Sequence, residues 1–352
     1  MTRVHQFHPV LAPGDAMSNH VFALQQRLRD WGHEAHAYAI EAKAGTDEVL
    51  PYRRLFRDVR PDDLVLLHFS MGNEVFTQLA KLRARKVLVY HNITPAEFFR
   101  GINAHAATYA RLGRRQLAEL APAMELAIGV SEYNQRELDA AGYARTAHVP
   151  ILIDWRTYDT PPDDAVMARW AGVGPLLLFV GRVAPHKRQD DLIRMLAYYR
   201  ACIDPNARLV LVGGYRDQPQ YHARLVELVK ALHLEPAVAF AGAVSTPELV
   251  AYFRRASAFV SLSEHEGFGV PLLEAMRFDV PVIAFDAAAV GETVGSAGVL
   301  LKERDLAQAA EAVGLVLERP ELREQLVAAG RERLKAFDPD RVALRTREVL
   351  GL

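Results

Sequence analysis

The sequence predicts an α/β protein made of two doubly wound halves with parallel sheets. Three observations predict it. Short apolar runs alternate with helical patterns from one end of the chain to the other. The 352 residues exceed the roughly 250–300 at which a single hydrophobic core stops growing, so two domains are expected. Between two alternating sets lies a polar stretch, residues 154–164, stiffened by Pro161 and Pro162, which reads as the linker.

In the first half, residues 3–7 read as the opening strand. Residues 15–31 read as a helix, with Met17, Val21, Leu24 and Leu28 on one face and Gly32 as its stop. Strands follow at 35–40, 64–67, 87–90, 126–130 and 148–153, with an Arg- and Ala-rich helix over 108–120. Asp15 and Ser131 read as helix N-caps. The second set has strands at 176–180, 209–212, 238–240, 258–262 and 282–285. Residues 340–350 read as a final helix. The expected division is 1–160, 165–335 and a terminal segment 336–352 that packs back toward the first domain.

Half of the chain is hydrophobic, ample for a sizeable core, and the formal net charge is −1. That balance excludes a polyanion-binding surface spread over the whole protein, so no nucleic-acid partner is expected, while a local basic site stays open. A single cysteine, Cys202, rules out an internal disulfide and fits a reducing compartment. No apolar run approaches the roughly 18 residues of a membrane helix, and no leader-like pattern opens the chain. A soluble, cytoplasmic protein is expected.

The most informative stretch is Glu266-Gly267-Phe268-Gly269-Val270-Pro271-Leu272-Leu273-Glu274. A carboxylate ends a strand, a flexible turn follows, and Pro271 opens a helix, where its missing N–H is not needed. The N–H groups of Leu272 and Leu273 then point out of a helix end that favours an anion. A carboxylate beside such an end can hold a ribose diol next to a phosphate, which suggests a nucleotide. The plain alternative is that Glu266 merely ends a strand and Glu274 merely complements the helix dipole.

A second cluster follows the strand at 176–180: Gly181-Arg182-Val183-Ala184-Pro185-His186-Lys187-Arg188. Cations near a helix start oppose its dipole, and a bound anion reverses that sign. Arg182 can act as a bidentate fork and Lys187 as a point charge around a diphosphate. Solvated surface charge accounts for the same residues equally well when they are taken alone. Their place at the carboxyl end of a strand, where open α/β sheets bind ligands, favours the site.

With these residues in hand, a resemblance is clear. Gly181-Arg182 with Lys187, then Glu266 and Glu274 within Glu-Gly-Phe-Gly-Val-Pro-Leu-Leu-Glu-Ala-Met, resembles the retaining glycosyltransferases of family 4. Supporting stretches run from Val210 to Gly214, from Val238 to Ser245, from Pro281 to Ala284 and from Gly291 to Thr293. The likeness covers nearly all of the second half and is looser in the first. It implies the GT-B fold, two doubly wound Rossmann-like domains facing across a cleft that closes on the substrates. The first would be the acceptor side and the second the nucleotide-sugar domain.

The resemblance also implies roles. Arg182 and Lys187 resemble the pair that grips the donor diphosphate, and Glu274 the residue that binds the ribose hydroxyls. Glu266 with Gly267, Phe268 and Gly269 resembles the sugar-recognising loop, with Val270 and Leu272 at the helix start. The stretch ending at Val244 matches the region that touches the base. Gly14 follows the first strand, where this family brings backbone to the donor. His91 resembles a histidine close to the donor sugar, although a turn with a hydrogen-bonded ring explains it without the family. His68 reads as structural. Two departures stand out: Pro13-Gly14-Asp15-Ala16 is not a double-glycine turn, and Arg277-Phe278-Asp279 replaces the usual small residues after Glu-Ala-Met.

The expected activity is therefore transfer of a hexose, mannose first, from a GDP- or UDP-sugar to a lipid-linked or polysaccharide acceptor. No cofactor and no metal is expected: no carboxylate or histidine cluster stands at ligand spacing. The basic runs 81–86 and 111–115 leave peripheral membrane contact at the inner face open, although solvated helix faces explain them too. Rival readings are a two-lobed nucleotide- or sugar-binding protein and an epimerase or synthase of the same fold. A dinucleotide oxidoreductase would need a glycine fingerprint after the first strand, which His8-Pro9-Val10-Leu11-Ala12-Pro13-Gly14 lacks.

Overall fold

Apolar runs such as Leu-Val-Leu-Leu-His-Phe and Leu-Leu-Leu-Phe-Val become strands because both of their faces are covered. In the computed structural model, which describes residues 1–352, every residue of the first run and four of five in the second are buried. Continuous burial of this kind marks parallel sheets flanked by helices. The chain divides into two compact units. One comprises Met1–Arg100, Ala104–Trp155 and Phe337–Leu352; the other comprises Gly101–Asn103 and Arg156–Ala336.

The strands of the first unit are β1 (Arg3–Phe7), β2 (Val10–Leu11), β3 (Glu34–Ala39), β4 (Glu41–Ala42), β5 (Leu50–Pro51), β6 (Leu64–Phe69), β7 (Arg85–Tyr90), β8 (Leu126–Gly129) and β9 (Thr146–His148). Seven of them form a parallel sheet ordered β5-β3-β1-β6-β7-β8-β9, while β2 and β4 pair separately. The winding direction reverses between β1 and β6. Its core gathers Phe7, Tyr38, Phe69, Phe76 and Tyr90, each fully buried. Burial of such a side chain stabilises by about 1.5–3 kcal/mol. The last helix, Pro339–Leu350, belongs to this unit: Asp340 pairs with Arg27 at 2.6 Å, and the Leu350 carbonyl accepts from Arg85 at 3.3 Å.

The second unit holds β10 (Leu176–Val180), β11 (Arg208–Val212), β12 (Val238–Gly242), β13 (Ala258–Ser261), β14 (Val282–Phe285) and β15 (Gly298–Leu301). They run parallel in the order β12-β11-β10-β13-β14-β15, the doubly wound arrangement whose switch point lies between β10 and β13. It buries a core of its own around Leu177, Phe179, Leu192, Leu209, Val260 and Ile283.

Local signals set the helix starts. Asp15 and Ser131 accept from the N–H groups of Ser18 and Asn134, both at 3.1 Å, as the sequence predicts. Such a cap contributes about 1 kcal/mol. The run expected to be a strand over 148–153 behaves differently. After Val149, whose N–H reaches Gly129 at 3.1 Å, the chain leaves the sheet. Ile151, Leu152 and Ile153 are buried without a strand partner, so their apolar character reports burial and not pairing. The linker region is also partly structured: Trp155–Tyr158 forms a 3-10 turn, and a helix, Asp164–Arg169, starts on the Asp163 cap. No helix is long and apolar enough to cross a membrane.

Candidate functional site

In the second unit, the loops leaving β10 and β13 flank the switch point, and both carry the residues singled out in the sequence. Gly181 follows β10, and Gly213 follows the neighbouring β11. A Cβ on Gly213 would stand 2.0 Å from the Gly181 carbonyl oxygen, so only glycine lets these two chain ends approach. The loop from 182 to 188 is then pinned by the buried Gln189. Its Nε2 donates to the Arg182 carbonyl at 3.0 Å, and its Oε1 accepts from the Ala184 N–H at 3.4 Å.

Arg182 is exposed and forms no ion pair. Lys187 lies in a short 3-10 turn, Pro185–Lys187, and its Nζ is 2.6 Å from Glu266 Oε2. Both side chains are mostly covered, at 19% and 14% exposure. The Glu264 N–H donates to the His186 carbonyl at 2.8 Å, which ties the two loops together by backbone. Burial, with Lys187, His265 and Arg182 nearby, pushes His186 well below the usual histidine range. Arg188 is the N-cap of the Gln189–Cys202 helix and is engaged elsewhere: Asp191 at 2.9 Å, Asp190 at 3.2 Å and Glu264 at 3.5 Å.

Glu266 itself does not end a strand. β13 stops at Ser261, and Glu266 sits in the loop beyond it. That loop is held by its carbonyls: Glu266 accepts from the Ala289 N–H at 3.1 Å, and Phe268 from Thr293 Oγ1 at 2.6 Å. Gly267 is partly exposed, whereas Phe268 is buried. Gly269, at φ +95°, is the N-cap of the helix Val270–Arg277. The helix therefore opens at Val270, with Pro271 second and not first, because the left-handed glycine turns the chain one residue early. The Leu272 N–H is not free as expected: it reaches the Gly269 carbonyl at 3.0 Å.

Glu274 lies beyond the first turn and is 6% exposed, so it is no surface acid complementing a dipole. It accepts a hydrogen bond from the Tyr158 hydroxyl. Burial raises its carboxyl to about 7, against the opposing effect of that bond. The same contact and burial push the Tyr158 phenol up. Tyr158 was not legible as a site residue; it stands in a polar stretch that reads only as a linker. It also packs edge-on to Phe278, and Arg277 reaches Asp159 at 3.2 Å. The unusual Arg277-Phe278 pair thus fixes the Trp155–Tyr158 turn against this helix. Val244 lies between β12 and the Thr246–Arg255 helix, partly buried, beside the Ser245 capping box.

The first unit carries the two remaining predicted residues. Gly14 is exposed at φ +79°, with its N–H 3.3 Å from Asn19 Oδ1. His91 follows β7, and its Nε2 is 3.0 Å from His68 Nδ1. His68 is fully buried in β6 and joins His91, a relation its apolar neighbours concealed. Burial, and the neighbouring histidines, push both rings well below the usual range.

Comparison with known proteins places this geometry. The chain is 28% identical over 256 residues to a D-inositol 3-phosphate glycosyltransferase of Kineococcus radiotolerans, covering 68% of this chain and 59% of that one. It is 33% identical over 186 residues to a glycogen synthase of Mycobacterium tuberculosis, covering 52% and 44%. A GDP-mannose-dependent alpha-(1-6)-phosphatidylinositol monomannoside mannosyltransferase of the same organism is 29% identical over 237 residues, covering 63% and 60%. The chain thus spans about half the length of the curated relatives it matches. Among solved structures, HepE of Anabaena in complex with UDP and glucose superposes with a TM-score of 0.81 at 17% identity, covering 100% of both chains. WaaG, a glycosyltransferase involved in lipopolysaccharide biosynthesis, gives 0.76 at 16% identity, covering 98% and 99%. These likenesses show the fold: GT-B, with two Rossmann-like domains. Residues 169–333 match the family described as glycosyl transferases group 1.

Proposed function

We propose that the protein is a retaining hexosyltransferase of the family 4 type, which moves a sugar from a nucleotide diphosphate donor to a lipid-linked or polysaccharide acceptor. The observation that carries this reading is the contact of Lys187 with Glu266 at the switch point, with Arg182 on the same loop as the lysine and Glu274 on the helix that follows. The charge-bearing event is departure of the diphosphate. Arg182, Lys187 and the helix end at Val270 stabilise the developing negative charge without a proton transfer. Glu274 accepts from the ribose hydroxyls, and the Glu266–Gly269 loop holds the sugar. The anomeric carbon–phosphate oxygen bond breaks as the acceptor oxygen bonds to the same face, and the acceptor proton passes to the departing phosphate. Two side-chain cations meet the diphosphate charge, so no metal is assigned.

Mannose from GDP-mannose is the first donor assignment and UDP-glucose the second. The names of a GDP-mannose-dependent relative and of a UDP-bound structural neighbour support these two. A lipid-linked or polysaccharide acceptor accords with the phosphatidylinositol and lipopolysaccharide named for similar proteins. The cytoplasm is the location this reading assigns, with contact at the inner membrane face left open.

The test is product analysis. The chain is incubated with each donor and with lipid-linked or free sugar acceptors, and the anomeric configuration of the product is read by NMR. Transfer to the lipid-linked acceptor with retention is expected. An inverted product, or turnover on a free sugar unaffected by lipid, contradicts it.

A further inference from the structure

His20, His68 and His91 place ring nitrogens within 4.8 Å of one another in the first unit. Such a group first reads as a metal centre, but its hydrogen bonds argue otherwise. The Leu152 N–H donates to His20 Nδ1 at 2.8 Å. With that lone pair in use, the neutral ring carries its proton on Nε2 and has no lone pair left for a cation.

The same reasoning fixes the other two rings. Gln6 Nε2 donates to the Val21 carbonyl at 3.0 Å, and a carbonyl can only accept. Gln6 Oε1 therefore faces His68 Nε2, at 3.0 Å. An amide oxygen only accepts, so His68 is protonated on Nε2 and bare on Nδ1. His91 Nε2, 3.0 Å from that bare Nδ1, must donate. His91 Nδ1 is then a bare acceptor, buried and without a protein partner. Sheet register produces this alignment. Gln6 stands opposite Leu66, and His68 opposite Val89, so the three polar residues step along one face toward the carboxyl ends of β1, β6 and β7.

A buried acceptor without a partner costs about 1–3 kcal/mol unless a donor arrives. We propose that Gln6 and His68 are positioning residues that hold His91 as the Nε2–H tautomer, so that its Nδ1 accepts a hydrogen bond from a hydroxyl of the ligand bound at this sheet end. That the hydroxyl is one of a sugar rests on the glycosyltransferase reading; the tautomer does not. The relay selects a ligand atom that donates and rejects a phosphate or ether oxygen at that point.

The test is histidine-selective 15N NMR of the full chain at neutral pH without ligand, joined to transfer kinetics. His91 is expected to show a protonated Nε2 and a bare Nδ1. In His68→Leu the preference is expected to collapse toward a mixture, and in His68→Asn, whose Oδ1 can replace the lost acceptor, to return. A His91 protonated on Nδ1 or on both nitrogens, or a tautomer unmoved in His68→Leu, overturns the relay. Transfer per folded molecule is expected to fall about tenfold or more in His68→Leu and to recover in His68→Asn. Equal rates in wild type and both variants overturn the positioning role. If wild type transfers no sugar from any donor, the function fails while the tautomer measurement still decides the relay.

Discussion

Lys187 Nζ lies 2.6 Å from Glu266 Oε2, a contact made across 79 positions of sequence. It closes the loops that leave β10 and β13 around the point where the sheet reverses its winding. With both partners largely covered, neither charge is simply solvated surface. A diphosphate arriving here would compete with Glu266 for the lysine.

Removal of either cation should therefore strike turnover. Lys187→Ala and Arg182→Ala are each expected to lower kcat tenfold or more, about 1.4 kcal/mol of transition-state stabilisation or greater. Steady-state kinetics with the productive donor check this. Near-wild-type rates in both variants remove the pair from the mechanism.

Glu274 predicts a pH dependence of stability. Its carboxyl is raised by burial from 4.5 to about 7 in the folded protein. Between those values the folded state holds a proton that the unfolded state has lost, so stability is full below about 4.5 and falls as pH rises toward 7. The loss amounts to about 3 kcal/mol above pH 7. Glu274→Gln is expected to flatten that slope for the second unit, read by urea unfolding at pH 5 and pH 8. An unchanged slope contradicts an acid buried in this way.

Much of this arrangement was legible in the sequence because it is local. Leu-Leu-Leu-Phe-Val over β10 and the run Gly-Phe-Gly-Val-Pro carry strand, turn and helix start in adjacent residues. Some strands escaped: Leu50–Pro51 has too few residues for a period to show, and Gly298–Leu301 opens on a glycine that gives no strand signal. So did pairings set only by register or by a distant turn. Tyr158 reaches Glu274 from 116 positions away, and His68, read as a structural residue at a strand end, meets His91 after the neighbouring strand. Residues 151–153 were misjudged for the opposite reason, since their apolar pattern reflects burial and not a sheet partner.

The glycines at the strand ends give a packing prediction. Gly213→Ala places a methyl group 2.0 Å from the Gly181 carbonyl and is expected to cost about 1–3 kcal/mol or to displace the loop that carries Arg182. Gly214→Ala, with nothing within 4 Å of the new Cβ, is expected to stay within about 0.5 kcal/mol. Thermal unfolding of the two variants separates them. Equal losses contradict the close approach.

The histidine group gives the first unit a sign opposite to that of Glu274. Burial pushes His20 down to about 4, and His68 and His91 fall as well, with His8 also lowered nearby. Their neutral forms stabilise the fold above about pH 6.5, and that stability is lost as pH falls through the lowered values. Hydrogen exchange resolved by unit, at pH 7.5 and pH 5, is expected to show β1, β6 and β7 losing protection on acidification. Loss confined to the second unit contradicts it.

The most direct test of the nucleotide site is calorimetric binding of GDP, UDP, ADP and CDP to the wild-type chain, Lys187→Ala and Glu274→Ala. At least one diphosphate is expected to bind the wild type, with Kd weakened about tenfold or more in each variant. A wild type that binds none of the four, or variants that bind as tightly as wild type, would contradict the assignment.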